Sequence, residues 1–132
     1  MKHPNTQELM QGVLDRDPRY AAEAYKFVRS GLDHTVRRLE KPRHVSGREL
    51  LDGIREFALT EFGPMTKTVL NGWGIHRTED IGEIVFNMVE TGLLGKTDKD
   101  SRSDFANGYS FDEAFRKPFR PLAATQAGKR NV

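Results

Sequence analysis

The sequence predicts a mainly α-helical domain that closes with a small C-terminal β-hairpin, and two observations support this prediction. Apolar residues recur at helical spacing through most of residues 18–94, which is typical of helices that bury one face. Glycine, proline and helix-capping residues divide the pattern into short lengths, as helix ends require. The chain has 132 residues, a length that normally forms one domain. We therefore expect a single compact domain.

Two helices are predicted in the first third of the chain. A short helix is expected over residues 6–14. A longer one is expected over residues 18–40, where apolar residues follow one face. Asp17 and Pro18 would start it as an N-cap and a proline at the first helical position. Pro42 would end it, because a proline disfavours helical backbone in the residue before it.

The clearest local signal in the sequence is a helix start at Ser46. Glu49 lies three residues further on and completes a capping box with Ser46. Val45 and Leu50 flank this box and can pack together as a hydrophobic staple. The helix is expected to end at Gly63, because a glycine followed by a proline is a common helix terminus.

Two further helices and a hairpin are predicted after Gly63. The helices are expected over residues 64–73 and 78–91, with Thr78 as the cap of the second. Residues 93–96 and 105–111 could then pair as two strands around a polar loop, and a last short helix could follow over residues 112–115. Asn107-Gly108 adds a strong turn signal.

This succession of helices followed by a hairpin is the outline of a winged-helix domain. We therefore predict an N-terminal extension over residues 1–17, one winged-helix-like domain over residues 18–115, and a basic tail over residues 116–132. The predicted core is made of apolar residues on the inner helix faces: Leu50, Ile54, Phe57, Val69, Leu70, Trp73, Ile81, Ile84, Val85 and Met88.

Charge is distributed unevenly along the chain. The net charge of +2 combines +4 over residues 1–48, −7 over residues 49–115 and +5 over residues 116–132. In winged-helix domains the helix before the hairpin reads DNA, and here that helix would carry Glu79, Asp80, Glu83 and Glu90 without a lysine or arginine. Phosphate contacts depend on basic side chains. The pattern therefore favours a scaffold or a protein-binding role over base reading by this helix.

The basic ends leave two interpretations open. They could form an electrostatic footprint for RNA or DNA, or they could neutralise the acidic middle of the same chain or of a second copy, which is the interpretation we favour. The residues concerned are Arg37, Arg38, Lys41, Arg43, Arg48, Arg116, Lys117 and Arg120. Three aromatic residues are candidate protein contacts: Phe86, Phe115 and Phe119. Phe115 and Phe119 could alternatively stack on bases, or dock the tail on the core.

No catalytic, cofactor or metal site is predicted. The absence of cysteine excludes disulfides and thiolate metal sites. The four histidines are widely spaced, without the pairing that a zinc helix needs. No combination of nucleophile and base stands out, so an enzyme is the least supported class. No apolar run approaches the length of a membrane span or resembles a signal peptide, and we expect a cytoplasmic protein without a membrane partner.

Several segments carry a resemblance to known sequences: RHVSGRELLDGIREFAL, TVLNGWGI, EDIGEIVFNMVETGLL and DSRSDFANGYSFDEAF. Together they resemble an uncharacterised family of small bacterial proteins found mainly in planctomycetes and verrucomicrobia. The resemblance runs from about Tyr20 to Phe115 and implies a stand-alone bacterial cytoplasmic protein. It implies no activity, cofactor or functional residue.

The function that we predict from these features is a non-catalytic protein-binding module, acting as an adaptor or subunit. Its partner would be another protein or a second copy of the chain. The alternative is a nucleic-acid-associated protein that binds through its basic flanks and not through the acidic helix.

Overall fold

Five α-helices account for most of residues 5–41, 43–95 and 102–119, which are the residues that the computed structural model describes. They are α1 (Thr6–Arg16), α2 (Ala22–Arg37), α3 (Gly47–Phe62), α4 (Thr66–Gly72) and α5 (Thr78–Thr91). Short 3₁₀ turns occupy Gly63–Met65, Arg102–Phe105 and Lys117–Phe119, and Asp112–Arg116 is a π-helical turn. The prediction of a mainly helical, compact domain is confirmed.

The helix α3 begins and ends as predicted. The backbone N–H of Glu49 donates to Ser46 Oγ at 3.2 Å, and the backbone N–H of Ser46 donates to Glu49 Oε1 at 3.0 Å. Gly63 ends the helix with φ at +52°, a value that favours glycine. These signals act within a few residues, so the local sequence is sufficient to fix both ends.

Helices α2 and α3 approach each other closely because two glycines face each other's helix. Gly31 on α2 lies against Ile54, and a Cβ on Gly53 of α3 would collide with the Thr35 side chain. The hydroxyl of the buried Thr35 donates to the Gly31 carbonyl at 2.8 Å, so this hydroxyl has a hydrogen-bond partner inside the crossing. The tight packing makes α2 and α3 the central pair of the fold.

One buried cluster joins all five helices and the segment after residue 102. It includes Val13 from α1, Tyr25 from α2, Leu51 from α3 and Phe115 near the C-terminal end of the described chain. Of the predicted core residues, seven are buried: Leu50, Ile54, Leu70, Ile81, Ile84, Val85 and Met88. The other three, Phe57, Val69 and Trp73, are only partly buried.

The start of α2 differs from the prediction. The helix begins at Ala22 and not at Pro18, and it ends at Arg37, before Glu40. Asp17 is instead the C-cap residue of α1. Its carboxylate accepts hydrogen bonds from Arg19 and Asn87, and it accepts none from the N–H groups at the start of α2. A buried charge takes the strongest donors available, and one of these is Asn87, which lies 70 positions away and outside any local pattern.

The predicted hairpin is not found among the described residues, and the winged-helix arrangement is therefore not supported. Gly92 ends α5 with φ at +90°, and the N–H of Leu94 folds back to the Met88 carbonyl at 3.1 Å. Phe105, where the second strand was expected, belongs to a 3₁₀ turn. Asn107 has φ at +52°, so the predicted turn at Asn107-Gly108 is confirmed.

Thr78 was predicted to cap α5, and this prediction is wrong. Arg77 occupies the cap position without a side-chain hydrogen bond. The Thr78 hydroxyl donates to the Phe105 carbonyl at 2.6 Å and accepts from the N–H of Gly108 at 3.0 Å. The backbone of this segment therefore pairs with a side chain of α5, where a hairpin would have paired it with another strand. Among the described residues, no helix combines the length and apolar character needed to cross a membrane.

Candidate contact surfaces

An apolar groove of about 320 Å³ opens between α2, α3 and α5, and we call it the central groove. Leu32 and Val36 come from the C-terminal half of α2, and Val85 and Val89 come from α5. The described residues that line it are mainly aliphatic: Leu32, Val36, Val45, Leu50, Val85, Val89 and Leu94, with Phe105, Gly47, Gly95, Arg43 and His44. Its volume is at the lower end of the range for small-molecule and side-chain sites.

The groove exists because the apolar stripe of α2 is wider than the surface that covers it. Leu32 and Val36 are only partly buried, although they pack on the core. Val45, just before α3, is 8% exposed and forms part of the floor. Half-buried aliphatic side chains gathered in one concave site are typical of protein or ligand contact surfaces.

Arg43 stands at the rim of the central groove and is held by α3. Its guanidinium donates to both carboxylate oxygens of Glu49, at 2.7 and 3.0 Å, and to the His44 carbonyl at 3.0 Å. The guanidinium and the Ser46 N–H lower the pKa of Glu49 to about 2. The pKa of Arg43 is raised by the same carboxylate. Arg43 therefore has a fixed orientation and a charge that is already partly neutralised.

The other basic residues predicted near this junction fall into two groups. Arg38 pairs with Glu56 at 2.9 Å, and Arg48 donates to the Ala106 carbonyl at 3.1 Å. Arg37 and Lys41 are exposed, and within the described ranges neither forms an ion pair. The structure thus brings these residues to one end of the α2–α3 pair, with internal acceptors engaging Arg38 and Arg48.

The C-terminal candidates lie in different environments. Phe115 is fully buried and contacts the rings of Tyr109 and Phe111, whereas Phe119 is 43% exposed. Arg116 lies 3.9 Å from the Asp112 carboxylate, and Lys117 is exposed. Arg120 is outside the described residues. Phe115 therefore anchors this segment on the core, and Phe119 lies on the surface.

Phe86 is covered on one side by the segment that follows residue 102. Its ring packs edge-to-face against Phe105, with ring centroids 6.3 Å apart, and the Arg102 guanidinium lies 5.1 Å from its centroid. Arg102 is also paired with Glu83 on the same helix, at 2.8 Å. Phe86 is partly exposed and remains available for contact at its open edge.

A buried polar network lies at the junction of α1, α2 and α5. Asp17, which is 8% exposed, accepts from Arg19 at 2.7 and 2.9 Å and from the Asn87 amide at 2.8 Å. Hydrogen bonding to Arg19, more than any other contact, holds the pKa of Asp17 well below its usual range. The carboxylate is therefore charged and fully engaged, which suits a structural joint better than proton transfer. No sequence pattern indicates this network, because Asp17 and Asn87 are 70 positions apart.

Tyr20 and Tyr25 extend this network towards the surface of α5. The hydroxyl of Tyr20 donates to Asp80 at 2.7 Å, and burial raises the pKa of Tyr20 above its usual range. The Asn87 amide also donates to the Tyr25 hydroxyl at 3.1 Å. Both phenols are thus neutral hydrogen-bonding groups: Tyr20 ties the segment before α2 to α5, and Tyr25 ties α2 to α5.

A second site, which is shallow and widely open to solvent, lies at the opposite end of the α2–α3 pair, and we call it the aromatic pocket. Its volume is about 250 Å³. Phe27 forms its floor, and its ring centroid lies 5.6–5.8 Å from those of Phe57, Phe62 and Trp73. Charged side chains at the rim are Glu23, Lys26 and Glu61. Phe57 and Trp73 were predicted as core residues, so sequence reasoning missed their partly exposed faces.

Among the described residues, no group of three or more histidine, aspartate or glutamate side chains could hold a metal ion. His34 lies 3.1 Å from Glu56, and His76 Nδ1 lies 3.1 Å from the Asn71 side-chain oxygen. These are pairwise contacts on the surface. They form no metal-binding arrangement.

Comparisons of the chain with protein-family models, curated proteins and solved structures found no match. We therefore interpret the central groove and the aromatic pocket from their own residues and contacts.

Proposed function

We propose that the protein is a non-catalytic binding module that receives an apolar segment of a protein partner in the central groove. The observation that supports this proposal is the set of partly buried aliphatic side chains that converge there from α2, α3 and α5. An amphipathic helix commonly places its apolar face in such a groove. A volume of about 320 Å³ accommodates a few aliphatic side chains of a partner.

Basic residues at the C-terminal end of α2 favour a partner with acidic residues next to its apolar ones. Arg37 and Lys41 are exposed there, and within the described chain neither is paired with a carboxylate. Exposed charges steer association and select partners more than they add affinity. The partner would be another protein or a second copy of the chain, whose residues 49–115 carry −7.

A charge placed in the groove tests the proposal. Val36→Glu would put a carboxylate on the partly buried groove wall, whereas Met65→Glu changes a residue that is 56% exposed and does not line the groove. Tagged wild type and both variants would be recovered from lysate of the source organism and analysed by mass spectrometry. Light scattering after size exclusion would report self-association.

We expect wild type and Met65→Glu to retain the same partner or dimer, and Val36→Glu to lose it. A strictly monomeric wild type that retains no protein would contradict the proposal, and so would equal retention by all three proteins. Circular dichroism of each variant establishes that the helices are intact before the comparison is made.

The second candidate function is nucleic-acid binding through the basic flanks, and the exposure of Arg37, Lys41 and Lys117 is the observation in its favour. Binding of labelled RNA and DNA should then weaken steeply as salt rises, because bound counterions are released. The double variant Arg37→Glu, Lys41→Glu should weaken binding further. If neither nucleic acid shows an anisotropy change at low salt, this alternative is ruled out.

A further inference from the structure

The aromatic pocket combines an aromatic surface with carboxylates that have no ion-pair partner. Phe57, Phe62 and Trp73 are each partly exposed around Phe27, which is 5% exposed. Glu23 and Glu61 line the same pocket, and among the described residues neither forms an ion pair. The negative faces of aromatic rings and nearby carboxylates both attract a cation. The lining of the pocket therefore favours a positive group that also tolerates apolar surroundings.

The position of Glu61 adds an independent argument. It lies in the last turn of α3, which ends at Phe62 and has no basic residue in that turn. Carboxylates are disfavoured there, because the C-terminal end of a helix carries partial negative charge. A residue that breaks a local stability rule without a compensating contact is a candidate for a functional role. A bound cation would supply the missing compensation.

The chemistry of the pocket distinguishes between kinds of cation. A lysine ammonium is strongly hydrated and loses that hydration on an aromatic surface. A quaternary ammonium group is apolar on its outside and charged overall, which is the combination that aromatic cages recognise. The volume of about 250 Å³ is below that of most drug-sized ligand sites, so a small solute fits better than a large one.

Lys26 is the one cation among the described residues that line the pocket, and its charge opposes a bound ammonium. Two carboxylates outweigh it, which leaves the rim with an excess of negative charge. Lys26 can also face the anionic end of a zwitterionic ligand. It therefore does not exclude a solute that carries a quaternary ammonium at one end and a carboxylate at the other.

We propose that the aromatic pocket binds the quaternary ammonium group of a small solute of the choline or betaine class. The ammonium would lie on the rings of Phe57, Phe62 and Trp73, with Glu61 and Glu23 at the rim. This proposal is independent of the central groove, because the two sites share no lining residue. A result that contradicts the proposal for one site therefore leaves the proposal for the other site unaffected.

A tryptophan in the pocket serves as an intrinsic fluorescent probe for this proposal. Trp73 is its single tryptophan, so intrinsic tryptophan fluorescence reports on the pocket alone. Choline and glycine betaine would be titrated to about 50 mM, a range that covers millimolar affinity. The neutral isostere 3,3-dimethyl-1-butanol and sodium chloride at matched ionic strength are the reference solutes. Saturation-transfer NMR on the ligand methyl protons gives a second readout that does not use the tryptophan.

We expect saturable changes with choline or glycine betaine, with a Kd on the order of 1–10 mM, and at least about fivefold weaker binding of the neutral isostere. Glu61→Gln should weaken binding roughly three- to tenfold, and Phe57→Leu by a similar factor. Glu113→Gln is the matched control, because Glu113 is exposed and does not line the pocket. The affinity of Glu113→Gln for choline or glycine betaine should equal that of wild type.

Three results would overturn the proposal. The first is no saturable response to either ammonium solute by both methods. The second is equal binding of the neutral isostere, and the third is equal affinity in wild type and Glu61→Gln, since either would remove the role of charge. Glu61 is exposed, so the Glu61→Gln result remains interpretable even if Phe57→Leu unfolds.

Discussion

The side-chain amide of Asn87 donates a hydrogen bond to the carboxylate of Asp17 at 2.8 Å, and this contact ties the α1–α2 junction to the middle of α5. The same amide nitrogen donates to the Tyr25 hydroxyl at 3.1 Å. All three residues are buried. Asn87 thus satisfies polar groups from two other parts of the chain, and the packing of α5 depends on its side chain.

Asn87→Ala should lower the free energy of unfolding by about 1–3 kcal/mol, because it removes one of the donors to the buried Asp17 carboxylate and the amide that donates to the buried Tyr25 hydroxyl. The higher helix propensity of alanine offsets part of this loss. Urea unfolding followed by circular dichroism measures the effect. Glu90→Ala is the matched control on the same helix. It removes an ion pair to Arg16 whose side chains are 50% and 48% exposed, so its own cost should stay below about 1 kcal/mol. Equal losses in both variants would contradict the role given to Asn87.

Asp17 should make the stability of the protein depend on pH in the acid range. Hydrogen bonding to Arg19 and Asn87 lowers its folded pKa below the ordinary value of 3.8. A carboxyl group with a lowered folded pKa stabilises the fold fully above its unfolded pKa, and this contribution is lost as pH falls towards the folded pKa. The difference in unfolding free energy between wild type and Asp17→Asn should therefore be largest near neutral pH and shrink below pH 3.8.

Urea titrations of the two proteins between pH 7 and about pH 2.5 would measure this difference. The contributions of other groups that titrate equally in both proteins cancel in this difference. A difference that stays constant across the range would show that the Asp17 charge contributes nothing to the fold.

Gly53→Ala should destabilise the protein by roughly 1–3 kcal/mol, because the added methyl group would collide with the Thr35 side chain at the α2–α3 crossing. Gly12→Ala provides the matched control inside α1, where a Cβ would meet nothing within 4 Å. That substitution should raise stability by about 0.5–1 kcal/mol, since alanine favours a helix over glycine. Thermal unfolding of both variants shows whether each substitution lowers or raises stability. A stabilising Gly53→Ala would show that the helices are not in close contact.

Thr78→Val should loosen the segment over residues 102–108. It removes the donor to the buried Phe105 carbonyl and the acceptor for the Gly108 N–H, which predicts a loss of about 1–3 kcal/mol. Amide hydrogen exchange should show faster exchange at Gly108. Thr60→Val is the control, because Thr60 is exposed and its hydroxyl donates only within its own helix. Unchanged exchange at Gly108 in Thr78→Val would contradict the assigned role.

Fold class and helix positions could be read from the sequence where the determining interactions are local. The capping box of Ser46 and Glu49 and the glycine end at Gly63 involve neighbouring residues, and both predictions are confirmed. The hairpin prediction was wrong within the described chain because strand pairing depends on distant partners. Phe105 and Gly108 use Thr78 as their partner, 27 and 30 positions away.

The candidate surfaces depended still more on the tertiary structure. The sequence determined that the chain is helical, where α3 begins and ends, and that its basic residues flank an acidic middle, because these properties belong to single residues or to neighbours. It could not show that Phe57 and Trp73 form the wall of a pocket, or that Asp17 is buried against Asn87. Burial and pairing of this kind are decided by which helix faces meet, and that is a property of the packed chain as a whole.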